Sequence, residues 1–203
     1  MQIAVLTFDG FNEIDSFVAF TILNRLKPKG WRAFITSPTA EIASMNGVVV
    51  RRQRPLEFVA EADAVLIGSG TRTLEMSADP ELLSRLTLDS ARQLIGAQCS
   101  GTLLLAKLGL IGDVPACTDL RTRPWVIEAG VEVLDAPFVA NGNVATAGGC
   151  LASQYLAAWT IARLASRNDA EEALRTVAPV GEIDAFVERA LATVSPFLPP
   201  GGW

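Results

Sequence analysis

The run Leu94-Ile95-Gly96-Ala97-Gln98-Cys99-Ser100-Gly101-Thr102-Leu103-Leu104-Leu105-Ala106 reads as an apolar strand passing through a tight turn into an apolar helix, with a cysteine at the apex. A thiol so placed stands above the strand ends and over a helix N-terminus, whose partial positive charge favours the thiolate; this is the geometry of a nucleophile elbow. The chain contains no histidine. If Cys99 is catalytic, its proton partner must therefore be a carboxyl group. The Asp9 to Asp15 loop and helix start after the first strand, and the Thr118-Asp119 pair after Cys117, offer carboxylates at the same sheet end. A carboxylic acid beside a thiolate in a desolvated cleft stays partly protonated, because two anions there repel. Such an acid is expected to donate a proton at neutral pH.

Positioning these groups requires a parallel sheet. Strand and helix patterns alternate along the chain, which predicts an α/β sheet covered on both faces, and in such sheets ligands bind beyond the carboxyl ends of the strands. Ile3 to Thr7 reads as a buried strand, Ile14 to Leu26 as a helix ended by Pro28 and Gly30, and Trp31 to Thr36 as a second strand. Ile42 to Ser44 and Val48 to Arg51 flank Asn46-Gly47 as a hairpin, a dipeptide suited to a type I′ turn. Ala64 to Ile67 is a short core strand stopping at Gly68-Ser69-Gly70, and Pro80 to Leu86 a helix capped by Asp79. Helix Ser100 to Leu108, strand Pro115 to Cys117, and a hairpin of Phe138 to Asn141 with Val144 to Thr146 follow. Helices are then expected over Ala152 to Leu164, Ala170 to Val177 and Ile183 to Leu198, before the Pro199 to Trp203 tail.

This connectivity gathers Cys99, the Gly68-Ser69-Gly70 turn, the Asp9 to Asp15 loop and Thr118-Asp119 at one sheet end. Glycines there let backbone approach a reacting atom, so the Gly70 and Ser100 amides are candidates for an oxyanion hole. Phe8, Phe11 and Trp125 are candidate apolar walls there. Cys117 and Cys150 read as packing residues. Trp31, Trp159 and Trp203 read as core or interface anchors, and the Arg51 to Arg54 run as a solvated or dimer-edge strand.

At 203 residues, half of them apolar, the chain suits one domain over 1–203. Its net charge of −5, with basic residues dispersed, offers no attraction to nucleic acid. No apolar run approaches the ~20 residues that span a bilayer, and the start lacks the basic flank of a secretory signal. Three unevenly spaced cysteines suit a reducing cytoplasm rather than a disulfide framework. The lack of histidine and of a close-spaced cysteine pair argues against a metal, and no cofactor is expected.

These residues resemble the ThiJ/PfpI superfamily over nearly the whole chain. Ala97-Gln98-Cys99-Ser100-Gly101 looks like its cysteine turn, and Phe11-Asn12-Glu13-Ile14-Asp15 holds an acid where the family has one. Gly68-Ser69-Gly70 is similar to its glycine turn, and Gly142-Asn143-Val144-Ala145-Thr146-Ala147-Gly148-Gly149 to its late glycine signature. The resemblance implies a flavodoxin-like, class I glutamine amidotransferase-like fold and a homodimer. Thr118-Asp119 stands where relatives have Thr-His, and Tyr155 where many have an acidic residue. Without that histidine, peptidase-like and many glyoxalase-like readings lose their proton carrier.

The isonitrile hydratase branch is the nearest resemblance. It implies Cys99 as nucleophile, Asp15 as acid and base, and Ser100 as hydroxyl and amide donor, with Gly68, Ser69, Gly70 and Asp119 around the substrate. The implied activity is hydration of a small isonitrile to an N-substituted formamide. The alternatives are a glyoxalase- or deglycase-like enzyme, and a thiol sensor whose Cys99 is oxidised without turnover. Direct DNA reading is disfavoured, since no basic helix-turn-helix follows the glycine signature.

Overall fold

The structure, a computed structural model, describes residues 1–199. Nine strands are described: β1 (Gln2–Leu6), β2 (Arg32–Ser37), β3 (Glu41–Ala43), β4 (Val49–Arg51), β5 (Arg54–Pro55), β6 (Ala64–Ile67), β7 (Leu94–Gln98), β8 (Phe138–Asn141) and β9 (Val144–Ala147). The α-helices are α1 (Glu13–Leu23), α2 (Thr73–Ser77), α3 (Pro80–Arg85), α4 (Gly101–Lys107), α5 (Arg123–Glu128), α6 (Ser153–Leu164), α7 (Arg167–Arg175) and α8 (Ile183–Val194). Seven strands form one sheet in the order β5-β2-β1-β6-β7-β9-β8, parallel except for the final β8–β9 hairpin. The β3–β4 hairpin stands apart from it.

Alternation along the central strands builds two cores. Ile3, Val5, Ala64, Leu66 and Leu94 face one side, where they join Ile22 of α1, Trp159 of α6 and Leu174 of α7. Ala4, Leu6, Val65, Ile67, Ile95 and Ala97 face the other, with Leu103 and Leu104 of α4 and Val126 of α5. Because both faces are covered, these strands are apolar throughout. A sheet so sandwiched leaves only its strand ends free, and the carboxyl ends of β1, β6 and β7 meet there.

The expected parallel α/β architecture is present, and most elements begin and end within a few residues of their sequence signals. Asp79 caps α3 by accepting from the Glu81 and Leu82 amides. Two elements depart. Helix α1 stops at Leu23 because the Asn24 side chain accepts from the Ala33 amide and donates to the Phe20 and Ala33 carbonyls, so the chain tightens into a 3-10 segment, Asn24–Lys29. No strand forms over Pro115 to Cys117. The Cys117 amide donates to Thr146 Oγ1 at 2.8 Å and its carbonyl accepts from Thr102 Oγ1 at 2.9 Å, so side chains satisfy the groups a ladder would use. Only an isolated bridge, Ala116 to Val133, remains.

Arg54 lies on the edge strand β5 and stacks over Phe34, 4.8 Å from the ring centroid. Trp31 and Trp159 are buried core residues. Trp203, also read as an anchor, lies outside the described residues.

Candidate active site

Cys99 follows β7 directly and is the one non-glycine residue with positive φ, 47°, among the described residues. This left-handed conformation costs an L-residue about 1–2 kcal/mol, so the turn must be held from outside. Three bonds hold it. The Cys99 amide donates to the Ala147 carbonyl at 2.8 Å, Thr118 Oγ1 donates to the Cys99 carbonyl at 2.7 Å, and Gln98 Nε2 donates to the Gly149 carbonyl at 2.7 Å. The first turn of α4 then passes so close to the end of β6 that a Cβ on Gly101 would sit 2.8 Å from the Gly68 and Ile67 carbonyl oxygens. Glycine is required there by contact rather than by φ. The expected elbow is thus formed with Cys99 at its apex.

The same tightness gives a prediction at the late glycine signature. A Cβ on Gly148 would lie 2.3 Å from the Thr118 carbonyl oxygen, with two more Thr118 backbone atoms behind it. Gly148→Ala must push back the segment whose threonine clamps the elbow. A loss of about 2–3 kcal/mol is expected in urea denaturation.

Asp15 faces Cys99 from the first turn of α1. Asn12 caps this helix, its Oδ1 accepting from the Ile14 amide at 3.1 Å. Asp15 stands at the third helical position, from which an acidic side chain often reaches back to the cap amide. Here the Asn12 amide donates instead to the Ser69 carbonyl at 2.9 Å, which leaves the Asp15 carboxyl free to turn toward the sheet. Oδ2 accepts from Ser69 Oγ, and Oδ1 is buried without a well-formed hydrogen-bond partner. Only 2% of Asp15 is exposed. Burial raises its pKa to about 6, against the smaller opposing effects of the Ser69 hydroxyl and of the Cys150 and Cys99 thiols.

The thiol is also raised, well above its ordinary value, first by burial and then by the charges of Asp15, Cys150 and Asp119. Burial thus favours the neutral form of both groups, more strongly for the thiol than for Asp15, because desolvation outweighs whatever the short helix α4 supplies.

A third group joins them. Cys150, two residues past Gly148, places its Sγ so that this atom, Cys99 Sγ and an Asp15 carboxylate oxygen all lie within 4.8 Å of one another. Asn12 Nδ2 donates to Cys150 Sγ at 3.1 Å. The sequence reading of Cys150 as packing is therefore overturned: the turn after β9 brings Cys150 to the elbow. Cys117 does remain in the core, fully buried.

Over Cys99 and Cys150 lies a cleft of about 180 Å³, lined also by Met45, Gly70, Ser100 and Trp125. Trp125 is a wall, as expected. Phe8 and Phe11 are not: both are buried, Phe11 in an edge-to-face pair with Phe17, because the loop after β1 turns its aromatic residues inward. The Gly70 amide donates to Ser100 Oγ at 3.2 Å, and that hydroxyl also pairs with Thr73 Oγ1 at 2.8 Å. The Ser100 hydroxyl thus occupies the donor that the sequence assigned to an oxyanion. Ser69 lines the cleft and serves Asp15. Gly68 lies beneath the cleft, where a Cβ would strike Ser16 Oγ at 2.7 Å.

Asp119 lines the cleft, yet its carboxylate closes its own turn, accepting from the Arg121 and Thr122 amides and from Thr122 Oγ1. It acts on the site through its charge. Asn12, Gln98 and Cys150 were given no role at the site by sequence reasoning, and Thr118, placed at this sheet end with Asp119, was not read as the elbow's clamp. The cap position of Asn12 before an apolar helix was a usable signal, and the others had none.

The model of the DJ-1/PfpI family matches residues 1–162. The chain belongs to the DJ-1/PfpI family. Solved structures of similar fold agree. A ThiJ/PfpI family protein from Pseudomonas syringae is 21% identical, with a TM-score of 0.78 over 96% of this chain and 87% of that one. Drosophila melanogaster DJ-1beta is 20% identical with a TM-score of 0.74, over 87% of this chain and 96% of that one. Schizosaccharomyces pombe DJ-1 is 18% identical with a TM-score of 0.64, over 95% and 99% respectively. No curated protein matches the sequence significantly. The DJ-1/PfpI family includes hydratases, peptidases and deglycases. In this DJ-1/PfpI chain, no helix among the described residues is long and apolar enough to cross a membrane.

Proposed function

We propose that this protein is a cysteine-dependent hydratase of a small molecule, most specifically of an isonitrile, acting as a single-domain cytoplasmic homodimer. The observation that carries the reading is the buried Asp15 carboxyl facing the Cys99 thiol in a chain without histidine. One proton is shared by two groups, and every proton the reaction moves must pass through Asp15.

The chemistry follows from that pairing. Asp15 accepts the thiol proton as Cys99 sulfur attacks the terminal isonitrile carbon, and returns it to the same carbon, giving a thioimidate. Ionised again, Asp15 takes a proton from water as that water adds to the thioimidate carbon, and passes it to the nitrogen as the C=N double bond becomes single. Collapse breaks the C–S bond, the hydroxyl proton returns to Cys99 sulfur through Asp15, and the N-substituted formamide leaves, so the net change is isonitrile plus water. A cleft of about 180 Å³ suits a substrate of a few heavy atoms, and Trp125 and Met45 give it apolar walls. Ser100, held by Thr73 and the Gly70 amide, can turn its hydroxyl toward the developing nitrogen charge.

The test is formamide formation from a short alkyl isonitrile by the purified, fully reduced protein, followed by NMR, with a search by mass spectrometry for a thioimidate on Cys99. Absence of turnover would sink isonitrile hydration. The pH profile gives a further expectation. The pair must lose its first proton to become active, so kcat/KM should rise through pH about 6, where Asp15 ionises, and level off above it. No ultraviolet thiolate band should accompany that rise, because the remaining proton stays on sulfur.

A further inference from the structure

Nothing in the proposed hydration uses Cys150, yet its thiol shares the buried space of the nucleophile. Its sulfur, that of Cys99 and the Asp15 carboxylate form one cluster with all separations within 4.8 Å. Cys99 is 3% exposed and Cys150 half-buried, and both line the cleft. Cys150 opens a short 3-10 turn, Cys150–Ala152, and follows Gly149, whose φ is 90° and whose Cα faces open space. Asn12 Nδ2 donates to the Cys150 sulfur, a contact that stabilises negative charge developing there.

We propose that Cys99 and Cys150 form a reversible two-electron redox site, in which a hydroperoxide oxidises Cys99 and Cys150 resolves it as an intramolecular disulfide. In the first step Cys99 sulfur attacks the peroxide's terminal oxygen and the O–O bond breaks. Sulfur is oxidised to the sulfenic acid, and the thiol proton passes through Asp15 to the departing oxygen, so the peroxide is reduced to an alcohol, or to water from hydrogen peroxide. In the second step Cys150 sulfur attacks Cys99 sulfur, the S–O bond breaks, and the departing hydroxide takes the Cys150 proton through Asp15 to leave as water. A thiol reductant returns both cysteines to thiols. A lone buried thiol has only further oxygen addition open to it. The second thiol diverts the sulfenic acid before sulfinate can form, and so the site can be used again.

The experiment uses the full-length reduced protein with hydrogen peroxide, quenched by an alkylating agent and read by intact mass and non-reducing peptide mapping. The wild-type protein is expected to lose two hydrogens, with Cys99 joined to Cys150 within one chain and Cys117 still alkylated after unfolding. In Cys150→Ser, Cys99 should instead gain two oxygens, at a rate at least ~10-fold above that in wild type. The mapping needs only the wild-type protein, so it decides the matter even if a variant folds poorly. Failure to lose two hydrogens overturns the proposal, as does a bridge to Cys117 or between chains, or equal sulfinate accumulation in wild type and Cys150→Ser. These readouts are independent of turnover, so failure of the hydratase reading leaves the test intact.

Discussion

Asp15→Asn is expected to be almost inactive and more stable than the wild-type protein at neutral pH. The loss of activity follows from the proton inventory: with no histidine in the chain and Cys99 protonated, an amide at position 15 can neither accept the thiol proton nor return it. A fall in kcat/KM of roughly 10³-fold or more is expected for removing the proton carrier from both half-reactions. The gain in stability follows from burial. Asp15 has a folded pKa of about 6 against 3.8 for the exposed group, so the native state holds a proton that the unfolded state has released between those values. Stability therefore falls as pH rises from about 4 to 6, and at pH 7 the ionised carboxylate costs about 3 kcal/mol. Asparagine keeps the shape and can accept from Ser69 without carrying that charge. Urea denaturation of both proteins at pH 4 and pH 7 measures the effect: the variant's advantage should appear only at the higher pH. A variant that is less stable at pH 7, or that retains a tenth of the activity, would show that Asp15 is not a desolvated proton carrier.

The parts of this site that could be read in the sequence are those fixed by local geometry. Cys99 sits between a run buried on both faces and a helix whose first residue must be glycine, and both constraints leave their mark on Leu94 to Leu105. Asp79 before Pro80, Asn46-Gly47 and Asn141-Gly142 mark their cap and turns in the same local way. What the sequence hid was decided by facing and by burial. Phe8 and Phe11 flank the right loop but turn inward, and nothing in their spacing announces it. Cys150 lies far along the chain from Cys99, and the two meet only because β9 pairs with β7 and ends at the same level, with Ala147 opposite Gln98. The upward shift of the Cys99 thiol is likewise a property of the closed cleft, since the helix terminus visible in the sequence is outweighed by desolvation that only the packed structure supplies.

Replacing the nucleophile should separate its two roles in the structure. Cys99→Ala and Cys99→Gly are both expected to reduce turnover by at least about 10³-fold, because neither can form the thioimidate. Their stabilities should differ in an uncommon direction. At ordinary sites glycine is less stable than alanine by roughly 0.5–1 kcal/mol, owing to its freer unfolded chain. At φ 47° the alanine Cβ keeps the left-handed strain that glycine escapes, worth about 1–2 kcal/mol, so Cys99→Gly should equal or exceed Cys99→Ala in stability. The strain is borne by contacts that both variants retain, namely the Cys99 amide on Ala147 and Thr118 Oγ1 on the residue-99 carbonyl. Parallel denaturation curves test this, with Thr118→Val as a third protein in which the clamp, rather than the apex, is weakened. If alanine proves the more stable by the ordinary margin, the elbow is not strained in solution, and the aim of the thiol rests on packing rather than on a backbone held in place. If either variant keeps its turnover, the covalent route through Cys99 is wrong, and Asp15 would have to activate water directly.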